Sequence, residues 1–267
     1  MALILGTTGA NTLNGGAADD AILGFGGADT LNGGGGDDGI SGGAGADTVN
    51  GGTGADGIDG GTGNDTLRGG AGIFSDTIFG AEGGDDLFGG EGDDDLFGGE
   101  GDDDLFGDAG ADYFEGGLGD DDLFGGSGDD ELFGNAGADT LDGGAGTDTM
   151  TGGTDSDGGP ADVFDFDSTA DMAVGAARDV ITDFLTGALE EDVINLATID
   201  ADTTVAGNQA FTFVTGAFNA AGQVRVIQNP ADFTQNIVQL NTDNDSAAEA
   251  EILDVLGNTA IASDFVL

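Results

Sequence analysis

Large apolar residues recur at nine-residue intervals, each set among small or polar neighbours. They are Leu13, Ile22, Leu31, Ile40, Val49, Ile58, Leu67, Ile78, Leu87, Leu96, Leu105, Phe114, Leu123, Leu132, Leu141 and Met150. Two residues before each stands an acid: Asp20, Asp29, Asp38, Asp47, Asp56, Asp65, Asp76, Asp85, Asp94, Asp103, Asp112, Asp121, Asp130, Asp139 and Asp148, with Asn11 in the first repeat. The unit reads Gly-Gly-x-Gly-x-Asp-x-U-x, where U is apolar. Sixteen units fill residues 6–151, with one two-residue insertion, Ile73-Phe74. A lone apolar side chain between polar neighbours suits a strand with one face inward. Glycine supplies the positive φ that tight bends need. The pattern predicts a short x-U-x strand and a six-residue glycine-rich turn, repeated. Two units close one coil, so sixteen make about eight coils, about 38 Å long at a strand spacing of roughly 4.8 Å. One apolar residue per unit cannot offset the unit's own ordering entropy, so stability must come from stacking.

The predicted fold class is all-β: a right-handed parallel β-roll followed by a short-stranded β cap domain. Three parts are expected: an N-terminal apolar strand at 1–5, the roll at 6–159, and a cap at 160–267. Past Gly159-Pro160 the glycine period fails. Alternating segments at 162–166, 179–184, 192–196, 211–214, 224–228, 237–240 and 252–256 predict short strands that continue and close the roll. A stacked coil needs such an end, because its last rung otherwise presents open backbone groups and apolar side chains.

Composition narrows the chemistry. The 267 residues carry 57 glycines and a formal charge of −50, which without the period would indicate disorder. Acids also flank the repeated position, as in Asp93-Asp94-Asp95 and Asp120-Asp121-Asp122. Repulsion on this scale holds a roll open unless counter-ions enter it. The bases are Arg68, Arg178 and Arg225, with no Lys or His, so a nucleic-acid partner is excluded. The lack of Cys removes disulfides and thiolate chemistry. Without His, Lys or Cys there is no Ser-His triad, His-ligated zinc site or common nucleophile, so the chain is expected not to be an enzyme. With five residues ahead of the first repeat, no N-terminal catalytic domain is expected. That N-terminus lacks the basic region of a Sec signal, and no segment is apolar enough for a membrane span.

Oxygen ligands remain. Stacked turns bring the repeated carboxylates and glycine carbonyls together, and calcium takes six to eight such oxygens at about 2.3 to 2.6 Å. Multiple Ca2+ ions are therefore expected along Asn11 and the Asp column from Asp20 to Asp148. A further loop, Asn241-Thr242-Asp243-Asn244-Asp245, followed by Glu249 and Glu251, spaces acids like a looped calcium site, with ligands expected at Asp243, Asp245, Glu249 and Glu251. The nonapeptide closely resembles the RTX calcium-binding β-roll. Local departures are Asn11, Ala18 in place of the third glycine, and the Ile73-Phe74 insertion, where weaker or reshaped sites are expected.

Residues 161–166, 178–184, 191–196 and the end 262–267 resemble the C-terminal secretion domain of serralysin-type proteases and other type I secreted proteins. That resemblance implies export through a type I secretion apparatus, with folding on calcium outside the cell or at its surface.

The ninth position of each repeat neighbours the inward residue and faces out. It is mostly polar up to Arg68, then becomes Phe79, Phe88, Phe97, Phe106, Glu115, Phe124 and Phe133. Alternate repeats feed alternate sheets. Phe88, Phe106 and Phe124 should thus line one face, and Phe79, Phe97 and Phe133 the other, as assembly contacts. The expectation is a secreted structural protein that self-associates into a homo-oligomer, extracellular layer or filament, with Ala2 to Leu5 pairing to the cap edge of a neighbouring subunit. The alternative is a module that binds cell-surface polysaccharide or accompanies a separately encoded secreted enzyme.

Overall fold

The computed structural model describes residues 1–153, 161–166, 179–184, 192–197, 199, 212–213, 223–228, 236–241, 250–254 and 265–266. They form an all-β parallel solenoid of about eight turns. Successive strands alternate between two sheets, of 14 and 11 strands among the described residues. Each strand pairs in parallel with the strand two repeats on: Leu31 lies beside Val49 and Asn32 beside Asn50, an offset of eighteen residues. Two nonapeptides therefore make one coil, as the period predicts.

The strands are longer than expected. They run six residues, as in Thr30–Gly35, Gly39–Ala44 and Thr48–Thr53, from position seven of one repeat to position three of the next. The paired glycines belong to the strand rather than the turn. Both position eight and the first glycine point inward, giving two buried places per strand. The apolar residue fills one. The apolar column from Ile22 to Met150 is buried throughout and continues into Phe164, Ile181 and Ile194.

Glycine is required where coils approach most closely. Gly99, at position two, has φ +122, and a Cβ there would lie 2.3 Å from the Ala81 carbonyl oxygen. Gly101, at position four, has φ +132, with the Gly83 carbonyl oxygen 1.6 Å from where its Cβ would be. Four repeats nonetheless place other residues at position two with positive φ: Phe25, Ala81, Asp108 and Asn135.

Ile73 and Phe74 are absorbed as an exposed bulge, 84% and 52% accessible. Across it the offset becomes twenty, since the Asp56 N–H donates to Asp76 Oδ1, and the core column passes unbroken from Leu67 to Ile78. At the N-terminal end, Leu3–Thr7 pairs with Ala21–Gly26, placing Ile4 beside Ile22. One edge of this strand is thus paired within the chain. Ile4 and Leu13 are partly buried and pack on the core, and the outer edge of Leu3–Thr7 ends the sheet.

Past the glycine repeats, Val163–Asp165 and Val193–Asn195 extend one sheet, followed by Phe265–Val266. Val180–Ile181 extends the other and joins Ala250–Asp254. An antiparallel ribbon follows: Ala250–Asp254 pairs with Asn236–Asn241, which pairs with Gln223–Gln228.

Candidate metal centre

The first glycine of each repeat faces inward without a side chain, and the space it leaves is taken by the repeat's own Asp. At Gly24, a Cβ would meet Asp29 Oδ2 at 2.4 Å and the Gly42 carbonyl oxygen, one coil on, at 2.5 Å. Gly98 repeats this with Asp103 Oδ2 at 2.5 Å and the Gly116 carbonyl at 2.6 Å. The carboxylates therefore turn into the roll beneath the bends. Asp20 to Asp148 are all buried, where the sequence placed them between stacked turns. Asn11 keeps the same geometry at Gly6.

The two oxygens of each Asp do different things. Oδ1 accepts the N–H of the Asp one coil earlier: Asp94 N–H to Asp112 Oδ1 at 2.7 Å, and Asp103 N–H to Asp121 Oδ1 at 2.9 Å. Oδ2, from Asp29 to Asp130 and Asp76 apart, is buried with no hydrogen-bond donor. An unpaired ionised oxygen in the interior costs several kcal/mol. Two acceptors, the carboxylate and the next coil's carbonyl, share most of these glycine-lined spaces, and such a pair needs a cation or a proton. Desolvation is the main force on Asp65, Asp112 and Asp121; the backbone hydrogen bond opposes it, and neighbouring carboxylates add to it. Asp65 and Asp112 are pushed up to about 7 and Asp121 up to about 8.

Among the described residues no three acidic side chains cluster as one metal site, so any ion here draws on backbone carbonyls. That donor set, all oxygen with few carboxylates per ion, fits calcium and the irregular geometry it accepts. Bound there, the ion would supply positive charge to Oδ2 of the Asp column.

A second set of acids, at position five, was not anticipated as structural. Asp93 Oδ1 accepts the Ala111 N–H, and Asp102 Oδ1 the Asp120 N–H, each at 3.0 Å. These exposed carboxylates accept from the following coil, opposite in sense to the buried column.

The buried column also outlasts the glycines. Asp139 N–H donates to Asp162 Oδ1, Asp148 N–H to Asp179 Oδ1, and Asp162 N–H to Asp192 Oδ1. The retained Asp-x-U triplet in these segments was the available signal. Among the described residues Gly152 provides the last glycine-lined space, against Asp162 Oδ2. Farther on, Phe166, Phe184 and Leu196 are buried. Asp183 ends the glycine roll by accepting the Gly152 N–H at 3.0 Å and the Gly153 N–H at 2.9 Å.

Of the predicted C-terminal ligands, Asp243, Asp245 and Glu249 lie outside the described residues. Glu251 stands in the strand Ala250–Asp254, opposite Gln239.

The predicted aromatic rows are present. Phe88, Phe106 and Phe124 stack at centroid distances of 5.0 and 4.9 Å, with Arg68 4.5 Å over the Phe88 ring. On the other face Phe79 stacks on Phe97 at 4.8 Å. Sequence reasoning left a gap at Glu115, but Tyr113 fills it, 5.9 Å from Phe97 and 5.6 Å from Phe133. Its hydroxyl donates to Glu115, a bond that pushes the phenol up to about 12.

These features define a parallel β-solenoid whose turns carry one buried, cation-seeking carboxylate per nonapeptide. The sequence profile of the RTX calcium-binding nonapeptide repeat matches residues 5–40, 41–73, 59–96, 71–105, 88–123, 97–132 and 124–158. The chain belongs to this family of calcium-binding repeats. A search of curated proteins returns no significant match. Among the described residues no helix is long and apolar enough to cross a membrane.

Proposed function

We propose that the chain is a secreted structural protein whose roll closes on Ca2+ outside the cell and then self-assembles into an extracellular layer or filament. The buried Asp column from Asp20 to Asp148 holds the ions through Oδ2, together with position-one carbonyls of the next coil, and Asn11 is the weak terminal member. In a compartment poor in calcium the charged column keeps the chain open and exportable, consistent with passage through a type I secretion apparatus.

The aromatic ladders carry the assembly reading. They run along both faces of the roll in a chain of charge −50, half-buried apart from the exposed Phe79, and contiguous apolar rows that reach the surface mark contact surfaces. The open edge of Leu3–Thr7, with Leu3 and Leu5 mostly exposed, offers an end-on contact as well. Stacking occupies both faces of Phe106 and one face each of Phe88 and Phe124, and Arg68 covers the second face of Phe88. That favours protein contact over the stacking of sugar rings that a polysaccharide-binding module would use. Light scattering and electron microscopy during a calcium titration test the reading. Assembly that appears with calcium and reverses with chelator is the expected result; a monomer at every calcium level overturns it.

A further inference from the structure

The two faces of the roll end their aromatic ladders differently. On one, Arg68 lies 4.5 Å over the Phe88 ring and closes the row. At the corresponding rung of the other face Phe79 lies beside Asp59, not Arg. One side of the Phe79 ring stacks on Phe97. The ring is 44% exposed and opens onto a shallow pocket lined by Gly57, Ile58, Asp59, Phe79 and Ala81. Gly57 supplies no wall, and a Cβ there would meet nothing within 4 Å. Ala81 adds a methyl group in the left-handed conformation, φ 85, where most repeats have glycine. That methyl group forms one side of the pocket beside the open aromatic face.

We infer that this pocket binds a guanidinium cation, which lies over Phe79 and is paired with the Asp59 carboxylate. Arg68 on Phe88 shows the same contact made within the chain. A planar, weakly hydrated cation suits an aromatic face with a carboxylate beside it better than a compact ammonium does. The field of the acidic roll draws cations of every kind, but ring stacking discriminates among them.

The test uses the full chain in saturating calcium and salt of about 0.15 M, which screens the general field. Arginine and lysine, each blocked at both ends, and methylguanidinium are titrated by calorimetry and by NMR of the ring protons. Blocked arginine should bind about threefold or more tighter than blocked lysine, as expected for an exposed cation–π contact. That preference should vanish in Phe79→Leu and in Gly57→Val, which fills the open wall. Asp59→Arg should raise Tm by supplying the cation in cis, and should abolish binding of the probe. Tighter binding of blocked arginine than of methylguanidinium assigns the site to a partner's side chain, and the reverse assigns it to a free small cation. Equal affinity for arginine and lysine, or a preference that survives both Phe79→Leu and Gly57→Val, overturns the inference.

Discussion

Asp112 reaches back one coil, and its Oδ1 accepts the Asp94 N–H at 2.7 Å while its Oδ2 lies buried without a donor. One carboxylate thus ties two coils together through the backbone and leaves a second oxygen for a cation. Asp112→Ala removes both functions and orphans a buried N–H, at a cost of about 1 to 3 kcal/mol. Circular dichroism against calcium should show a raised midpoint for Asp112→Ala and Asp94→Ala. Asp95→Ala, at an exposed position, should shift it far less. Equal shifts at all three would refute the assigned register.

Acid should substitute in part for calcium. In the unfolded chain these carboxylates titrate near their ordinary value of 3.8, whereas burial holds Asp65, Asp76 and Asp130 up to about 7 and Asp121 up to about 8. The folded roll therefore binds more protons than the unfolded chain between those values. Its stability without metal is greatest below about 3.8 and is lost as pH rises through 7 to 8. In excess chelator, the β signal should grow as pH falls from about 8 to about 5. A flat or opposite response in the monomeric chain would show that the column does not carry the repulsion.

Position two of the repeat separates relieved backbone from strained. Ala81 adopts φ 85, so Ala81→Gly should stabilise the calcium-loaded roll by about 1 kcal/mol. Gly99→Ala should do the reverse and cost more, because its φ is +122 and its Cβ would lie 2.3 Å from a backbone oxygen. Thermal unfolding in saturating calcium measures both, and the two shifts must have opposite signs.

The nine-residue period made the coil, the two-sheet alternation and the core column legible, because each follows from counting. Strand length was not legible. Whether Gly-Gly bends or extends depends on the Asp that fills the space the glycine leaves, a contact between positions one and six of the same repeat. The inward turn of the carboxylates has the same origin. Tyr113 was missed because it stands at position seven and reaches sideways across Glu115 to join Phe97 and Phe133. Asp162, Asp179 and Asp192 were passed over because glycine, the loudest signal, stops before them, although their Asp-x-U triplets carry the same ladder of hydrogen bonds.

The aromatic rows should also prove cooperative. Phe106 has a stacked neighbour on each side, at 5.0 and 4.9 Å, whereas Phe79 has one, at 4.8 Å. Each such pair contributes about 0.5 to 1.5 kcal/mol beyond area burial. Phe106→Ala should therefore destabilise the calcium-loaded roll about twice as much as Phe79→Ala, read as the shift in Tm. A Phe88/Phe106 double-mutant cycle should show a coupling of about 1 kcal/mol. Tyr113→Phe should keep the ladder and lose only the hydrogen bond to Glu115, while Tyr113→Ala should break the row between Phe97 and Phe133. If the ladders are the contact surface, Phe106→Ala and Tyr113→Ala should each also raise the protein concentration at which calcium drives assembly. Full assembly by the stably folded double variant would leave the rows as internal braces of the sheet and nothing more.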